Sequence, residues 1–310
     1  MPRFGRVLSA MVTPFDDEGS LDLDVAQQLA RYLQGHGHDG LVIAGTTGEA
    51  PVLSDDERLS LFAAVCEAVT IPVVAGTGTN DTAHSVHLSK EAVALGVAGV
   101  LAVCPYYNRP SQAGIEAHMR AIAEASDLPV MVYDIPIRTG RKIATSTLLR
   151  LFREVPNIVA LKDAAANPGE TAALISSAPD GFEAYSGDDA MTLPLLASGI
   201  VGIVGVATHW TGPDHQDMFD LWEKGDTAGA RIVNSRMLES FAFETGDEAP
   251  NPIPTKAVMR HLGLAVGQAR LPMGPAPAFV DEMAPTVLAN LQRWRDAFPE
   301  RPVHVEHVGR

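Results

Sequence analysis

Eight short apolar segments alternate along this chain with longer segments of helical spacing, and few folds accommodate that alternation. The apolar segments, rich in valine and isoleucine, are VLSAMVT, GLVIAG, PVVAGTG, GVLAVCP, PVMVYD, NIVALKD, FEAYSGD and GIVGV. Apolar strands that alternate with helices are typical of parallel strands buried on both faces. The pattern predicts an α/β fold, a (β/α)8 TIM barrel over residues 1–225, with a doubly wound open sheet as the alternative.

The helical segments carry their own end signals. SDDERLSLFAAVCEAV opens with Ser54 and has Glu57 three residues later, which is the spacing of a capping box. After about residue 225 the strand pattern stops, and three helical segments follow: TAGARIVNSRMLESFAF, TKAVMRHLGL and DEMAPTVLANLQRWRDAF. We therefore predict that residues 226–310 form a C-terminal helical extension that ends in a loose tail, PERPVHVEHVGR.

The composition and charge of the chain limit the kinds of molecule that it can bind. The net charge of −15 disfavours a nucleic acid or an anionic membrane as partner, because both require clustered lysine and arginine. The only cysteines, Cys66 and Cys104, are too few and too far apart for a disulfide framework, which favours a reducing compartment. The N-terminal residues do not resemble a signal peptide, and no segment reaches the apolar length of a membrane span. We expect a soluble cytoplasmic protein that acts on small molecules.

In a (β/α)8 barrel the active site forms at the carboxyl ends of the strands. The residues expected there are Thr46, Thr47, Tyr106, Tyr107, Asn108, Tyr133, Arg138, Lys162, Ser186, Gly187 and Asp188. If the barrel prediction holds, their side chains meet at one mouth.

Lys162 stands out because it ends the apolar run of NIVALKD. A free lysine has a pKa of about 10.4, and burial lowers that pKa because desolvation penalises the ammonium ion. A neutral lysine amine attacks carbonyl compounds. The alternative is a solvated lysine paired with Asp163, but the tyrosines, threonines and arginine expected nearby favour a nucleophile. The lysines predicted to be solvated are Lys90, Lys142, Lys224 and Lys256.

Cofactor and metal signals are weak. GTTGEA lacks the lysine of a P-loop, and GTGTND lacks the third glycine of a dinucleotide fingerprint, although the first can bind a small carboxylate through backbone N–H groups. Cys104 is expected to be a buried apolar residue. No set of metal ligands has a suitable spacing, so we predict neither metal nor cofactor. The histidines interpreted as surface residues are His36, His38, His84 and His87.

Taken together, the motifs resemble one family nearly end to end: the dihydrodipicolinate synthase / N-acetylneuraminate lyase family of class I, pyruvate-dependent aldolases. They are GTTGEAPVLSDDE, CPYYNRPSQAGIEAHM, VYDIPIRTG, NIVALKDA, YSGDDA, NPIPTKAVMRHLGL and RLPMGPA. The resemblance implies a barrel with a helical C-terminal extension, a homotetramer built as a dimer of dimers, and a Schiff base with pyruvate.

The resemblance also implies residue roles. Lys162 matches the Schiff-base lysine, Tyr133 the tyrosine that hydrogen-bonds pyruvate and moves protons, and Thr46 the relay threonine. Thr47 matches a residue that helps to hold the pyruvate carboxylate. Tyr107 resembles the tyrosine that crosses a subunit interface to complete the relay of a neighbour. Positions that line the pyruvate pocket match Gly187 and Val204.

Within the family, IPIRTG resembles the synthase branch, in which the arginine matching Arg138 binds the carboxylate of aspartate semialdehyde. The expected reaction is condensation of pyruvate with L-aspartate 4-semialdehyde, in lysine and diaminopimelate biosynthesis. Two alternatives remain: an aldolase or dehydratase for a sugar-derived 2-keto acid, and a catalytically silent ligand-binding barrel. The departures from common members are Asp134, Asp163 and Val204.

Lysine-inhibited members of the family bind lysine in a cleft formed partly by segments that match APVLSDDER and TNDTAH. Asn80 and Tyr106 are in place here. The histidines expected in the first segment are replaced by Asp55 and Arg58, and the acidic residue expected in the second is replaced by His84. These changes remove an acceptor for an ammonium group and add a like charge, so we expect weak or absent inhibition by lysine.

Overall fold

A computed structural model describes residues 1–297, and in it eight parallel strands close into a barrel. The strands are β1 (Val7–Ala10), β2 (Gly40–Ile43), β3 (Val73–Gly76), β4 (Gly99–Val103), β5 (Val130–Asp134), β6 (Ile158–Asp163), β7 (Glu183–Ser186) and β8 (Gly202–Gly205). Each strand pairs with the next one along the chain, and β8 pairs with β1, so the sheet has no free edge. The barrel prediction is confirmed, and the open-sheet alternative is wrong.

Helices follow every strand and cover the outside of the barrel. They are α1 (Leu23–Gln34), α2 (Asp55–Ala68), α3 (Thr82–Val93), α4 (Gln112–Glu124), α5 (Pro136–Thr139), α6 (Thr145–Glu154), α7 (Pro168–Ser177), α8 (Thr192–Leu196) and α9 (Thr208–Glu223), with a 3₁₀ turn at Ala50–Val52. The capping box of α2 is confirmed: Ser54 Oγ accepts from the Glu57 amide, and Glu57 Oε2 accepts from the Ser54 amide. No helix within residues 1–297 is long and apolar enough to cross a membrane.

Three further helices continue the chain after the barrel. They are α10 (Thr227–Phe243), α11 (Ile253–His261) and α12 (Ala278–Ala297). Helix α10 packs against α9 and α12, and α11 packs against α12. The predicted C-terminal helical extension is therefore confirmed, while the predicted tail, PERPVHVEHVGR, lies outside the described residues. The division into two regions at residue 225 stays a prediction.

Strand alternation sorts the side chains into two buried layers. Tyr133 and Val204 pack inside the barrel with residues from the other strands, among them Leu8, Val42 and Leu101. The opposite faces of the strands pack against the helices in the larger core. Because both faces are buried, the strands read as continuous apolar runs, and a charged residue at a strand end is conspicuous.

Candidate active site

Lys162 and Tyr133 lie side by side at the carboxyl end of the barrel. They are register partners on β6 and β5, and the Lys162 Nζ atom is 4.4 Å from the centroid of the Tyr133 ring. Lys162 is only 4% exposed. The side chain of Lys162 therefore turns into the barrel. The alternative, a solvated Lys162 paired with Asp163, does not occur.

The surroundings of Lys162 favour a neutral amine. Burial, with a smaller contribution from the charge of Arg138, lowers the pKa of Lys162 to about 8, and Asp189 and Glu244 oppose the change. At pH 7.5 roughly a quarter of such an amine is unprotonated, compared with about one in a thousand for a free lysine. Lys162 is thus prepared for attack on a carbonyl carbon.

Two buried carboxyl groups, Asp189 and Glu244, contact each other near Lys162. Asp189 Oδ2 accepts from the Val206 amide at 2.8 Å, and Glu244 Oε2 accepts from the Ala207 amide at 2.8 Å, just before α9. Burial, together with the charge of Asp189 and a hydrogen bond to it, raises the pKa of Glu244 well above its usual value. Burial beside Asp189 therefore favours the protonated form of Glu244.

Tyr133 stays a phenol at neutral pH. Burial raises its pKa to about 12, although a hydrogen bond with Thr46 and the charge of Arg138 oppose the rise. A protonated phenol that contacts a threonine hydroxyl can donate a proton to a developing oxyanion and recover one through its partner.

The GTTGE loop that carries Thr46 and Thr47 is held from the C-terminal helices. The Thr47 hydroxyl accepts from Asn251 Nδ2 at 2.9 Å, which leaves its own hydrogen available as a donor. Glu49 lies 2.6 Å from Lys256 Nζ in a buried ion pair, and its Oε2 accepts from the Arg270 amide. The prediction that Lys256 is solvated is wrong, because Glu49 offers it a buried partner.

Gly187 lies against Lys162, and Val204 belongs to the inner cluster that contains Tyr133. A Cβ atom at Gly187 would lie 3.0 Å from Lys162 Cγ, so a larger residue there would press on the lysine. Val204 on β8 is fully buried in the inner cluster. Gly187 therefore limits the space beside the Lys162 side chain.

A cavity of about 260 Å³ opens at this end of the barrel. Its polar lining includes Thr46, Arg58, Tyr106, Tyr133, Arg138 and Asn251. Lys162, Thr47, Gly187 and Val204 are not part of that lining. Since Tyr133 lines the cavity and its ring contacts Lys162, the amine lies next to a lining residue of the cavity.

Tyr107 is placed differently from the other predicted residues. It is 90% exposed and does not line the cavity. Its φ angle of +71° lies in the left-handed region, which is unfavourable for a residue with a bulky side chain. Within one chain, Tyr107 is therefore not brought together with Lys162.

The model of the dihydrodipicolinate synthetase family matches residues 3–292 of this chain. The chain belongs to this family. It is 46% identical over 291 residues to the 4-hydroxy-tetrahydrodipicolinate synthase of Symbiobacterium thermophilum, covering 93% of this chain and 98% of that protein. It is 43% identical over 274 residues to the synthase of the same name from Bacillus subtilis, covering 88% and 94%.

Solved structures agree with the family assignment. The dihydrodipicolinate synthase from Cyanidioschyzon merolae, described with lysine bound, is 41% identical and has a TM-score of 0.91, covering 94% of this chain and 99% of that chain. The dihydrodipicolinate synthase from Aquifex aeolicus is 30% identical with a TM-score of 0.85, covering 97% and 100%. The resemblance drawn from the sequence motifs is thus confirmed at the level of family and fold.

Two departures from common dihydrodipicolinate synthetase family members, Asp134 and Asp163, point away from the cavity. Asp134 Oδ2 forms an ion pair with Lys142 at 3.0 Å, so this lysine, predicted to be solvated, is only partly exposed. Asp163 Oδ1 and Oδ2 accept from the Ala165 amide and the Thr171 hydroxyl. Both carboxylates brace loops on the outer face of the barrel and do not contact the inward Lys162.

His38, His84 and Cys104 make contacts within the fold or are buried in it. His38, interpreted from sequence as a surface residue, is buried: its ring bonds Ser9 and the Leu33 carbonyl, and burial lowers its pKa to about 3. His84 pairs with Asp55, and Cys104 is buried as expected. Within residues 1–297 no group of three or more His, Cys, Asp or Glu is placed to hold a metal ion.

Sequence analysis gives no role in this site to several residues that lie in or beside it. They are Arg58, Asp189, Glu244, Asn251 and Lys256. Asp189 follows directly after the predicted Asp188 and could have been found by extending the strand-end rule by one residue. Asn251 and Lys256 lie in the motif NPIPTKAVMRHLGL, and Arg58 lies in APVLSDDER, where the sequence indicates only a change in the lysine cleft. Glu244 lies outside these motifs, and no local pattern marks it.

Proposed function

We propose that this chain is a 4-hydroxy-tetrahydrodipicolinate synthase, which condenses pyruvate with L-aspartate 4-semialdehyde in lysine and diaminopimelate biosynthesis. The observation that carries the proposal is the buried Lys162 amine, with its lowered pKa, beside Tyr133, which lines a cavity together with Arg138. The names of the relatives support the same reaction. With both cysteines present as free thiols, we place the reaction in the cytoplasm.

The first half of the reaction uses Lys162. Its neutral amine adds to the C2 carbonyl of pyruvate, and loss of water gives a protonated imine. This imine withdraws electrons from the methyl group, so removal of one methyl proton yields an enamine. The enamine carbon then attacks the aldehyde carbon of the acceptor, whose oxygen takes up a proton. Cyclisation onto the imine carbon, through the amino group of the acceptor, frees the Lys162 amine.

The proton transfers fall to Tyr133, Thr46 and Tyr107. Tyr133 is a phenol at neutral pH and hydrogen-bonds Thr46, so the pair can deliver and recover protons near the imine. Tyr107 is exposed and does not line its own cavity, and we assign it to the site of a second copy of the chain, where it extends the relay.

Two different residues bind the carboxylates of the two substrates. Thr47 keeps a hydroxyl hydrogen for the carboxylate of pyruvate, because its oxygen accepts from Asn251. Arg138 lines the cavity and carries a planar guanidinium suited to the carboxylate of aspartate semialdehyde. Gly187 and Val204 limit the space around the methyl group of pyruvate.

The assembly we propose is a homotetramer, built as a dimer of dimers. Three of the most exposed large apolar side chains are Tyr107, Ile137 and Leu271. Each is the chain neighbour of a residue that lines the cavity, so the apolar surface surrounds the cavity entrance. A second copy that covers this rim would bury the apolar surface and place Tyr107 over the neighbouring site.

A substrate panel tests the proposal. Pyruvate is incubated with aspartate semialdehyde, N-acetylmannosamine and neutral sugar aldehydes, and products are identified by mass spectrometry. We expect product only with aspartate semialdehyde, and loss of that product in Arg138→Ala while the pyruvate adduct still forms. A preference for a sugar aldehyde would favour the sibling aldolase, and no product with any aldehyde would favour the silent barrel.

A further inference from the structure

Arg138 lies on a short turn between β5 and α6, residues 135–142, which we call the Arg138 turn. Helix α5 within it has four residues, and two of them, Ile137 and Arg138, are exposed. Burial of these two side chains therefore cannot fix the position of the guanidinium. The contacts at the two ends of the turn have to fix it instead.

Asp134 closes the Arg138 turn. It is the residue directly before the turn, and it is only 1% exposed. Its Oδ1 accepts from the Ile143 amide at 3.2 Å, and its Oδ2 lies 3.0 Å from Lys142 Nζ. One carboxylate at the start of the turn thus binds two residues at its end, and Arg138 lies between them in sequence.

Lys142 links this closure to the next helix along the barrel. Its Nζ atom lies 3.3 Å from Glu170 Oε2 on α7, and it donates to the Ile143 carbonyl at 3.4 Å. The Lys142 side chain is 33% exposed. Removal of the Asp134 carboxylate would therefore leave Lys142 with a second carboxylate and with water, and no buried charge would lose its only partner.

A second closure of the Arg138 turn comes from α4. Gln112 Nε2 donates to the Lys142 carbonyl at 2.9 Å, and Gln112 Oε1 accepts from the Ala144 amide at 2.8 Å. Of the two closures, the one through Asp134 starts on β5, directly after Tyr133. It therefore relates the position of Arg138 to that of the reactive phenol.

We propose that Asp134 and Lys142 are positioning residues for Arg138, and that they set the selectivity for an acceptor aldehyde that carries a carboxylate. Among the residues described, neither lines the active-site cavity, so both act through the Arg138 turn. They fix the guanidinium relative to Tyr133, and thereby the distance at which an acceptor carboxylate can lie from its reacting carbon. The selectivity rests on the proposed function, whereas the closure of the turn does not.

Hydrogen–deuterium exchange of the full chain tests the closure without turnover. In Asp134→Ala, peptides that cover residues 135–143 should exchange about tenfold faster, because the Ile143 amide loses its acceptor. Asp134→Asn keeps an oxygen for that amide, so we expect a smaller increase. Asp163→Asn is the matched control: Asp163 ends the neighbouring strand and braces a different loop, so exchange of residues 135–143 should not change.

Steady-state kinetics test the consequence for selectivity. A displacement of about 1 Å can reduce a rate about 100-fold, so Asp134→Ala should raise the KM for aspartate semialdehyde about tenfold or more. The KM for pyruvate and the borohydride-trapped adduct on Lys162 should stay unchanged. Asp134→Asn should give a smaller rise, and Asp163→Asn no selective rise. Thermal unfolding checks that each variant is folded.

Unchanged exchange in Asp134→Ala, an equal change in Asp163→Asn, or an unchanged KM for the acceptor would each overturn the proposal. Equal rises in the KM values of both substrates would also overturn it, because they would indicate general damage to the site. Failure of the synthase assignment would appear separately, as a neutral aldehyde preferred by the wild type in the substrate panel. The exchange experiment would still decide whether Asp134 closes the turn.

Discussion

The charge state of Lys162 depends on its pKa, which some neighbouring residues raise and others lower. Burial lowers the pKa to about 8, and the nearby Asp189 and Glu244 limit the decrease. An amine with this pKa is neutral often enough to attack pyruvate near pH 8. As an iminium ion it also has a nearby negative charge to stabilise it.

Isosteric variants test how these two carboxyl groups affect the pKa of Lys162. Glu244→Gln replaces a carboxyl group whose raised pKa favours its protonated form, so the pH inflection for Schiff-base formation should stay near 8. The double variant Asp189→Asn/Glu244→Gln removes both carboxyl groups and should move the inflection to lower pH, because the ammonium form loses its stabilisation. The rate of adduct formation at limiting pyruvate, measured against pH, gives both inflections. A shift in Glu244→Gln alone, or none in the double variant, would contradict this assignment of charge.

At the scale of elements, the GTTGE loop depends on the segment around α11. The ion pair of Glu49 with Lys256 is buried, Lys256 Nζ also donates to the Gln268 carbonyl, and the ammonium lies over the Phe15 ring. Asn251 holds Thr47 from the same side. The C-terminal helices therefore stabilise the loop that carries two proposed substrate-binding or catalytic residues.

Removing one partner of that pair should be costly. Lys256→Met leaves Glu49 buried without its counter-ion, and we expect a loss of about 3–5 kcal/mol in the free energy of unfolding. The double variant Glu49→Gln/Lys256→Met should recover most of the loss, since it leaves no uncompensated charge. Urea unfolding monitored by circular dichroism measures both. Equal stability of wild type and Lys256→Met would show that the pair does not brace the loop.

The site around Lys162 and the buried pair of Glu49 and Lys256 also indicate how much of the structure could be predicted from the sequence. The strands and the mouth follow from local patterns, because parallel strands of a barrel bring all their carboxyl ends to one side. Lys162 and Tyr133 are found this way. Lys256 and Glu244 are not, because each gains its buried partner from a segment far along the chain, and the helical patterns around them give no sign of burial.

At the scale of the whole molecule, Tyr107 predicts a dependence between subunits. Tyr107→Phe and Lys162→Ala should each be nearly inactive alone. When the two are unfolded and refolded together, mixed dimers contain one site with an intact lysine and an intact neighbouring tyrosine, roughly a quarter of all sites. Activity should return to about that fraction. A mixture no more active than its parts would show that Tyr107 does not complete a neighbouring site.

Feedback by lysine is a second property of the assembly. The Asp55 carboxylate, the best remaining acceptor for an ammonium group, is already paired with His84. Arg58 adds a buried positive charge close to Tyr106. We therefore expect L-lysine to inhibit condensation weakly or not at all, in a steady-state assay with pyruvate and aspartate semialdehyde. Clear inhibition at physiological lysine concentrations would show that the cleft still accepts a dibasic ligand.

Lys162 is the proposed nucleophile, and a second buried lysine of the chain serves as its control. Lys256 is a second buried lysine, and burial lowers its pKa to about 8 as well, but it is paired with Glu49 and does not line the cavity. The enzyme is treated with pyruvate and borohydride, digested and mapped by mass spectrometry. We predict a reduced pyruvate adduct on Lys162, none on Lys256, and none in Lys162→Ala. An adduct on Lys256 or another lysine, or full turnover by Lys162→Ala, would show that Lys162 is not the nucleophile.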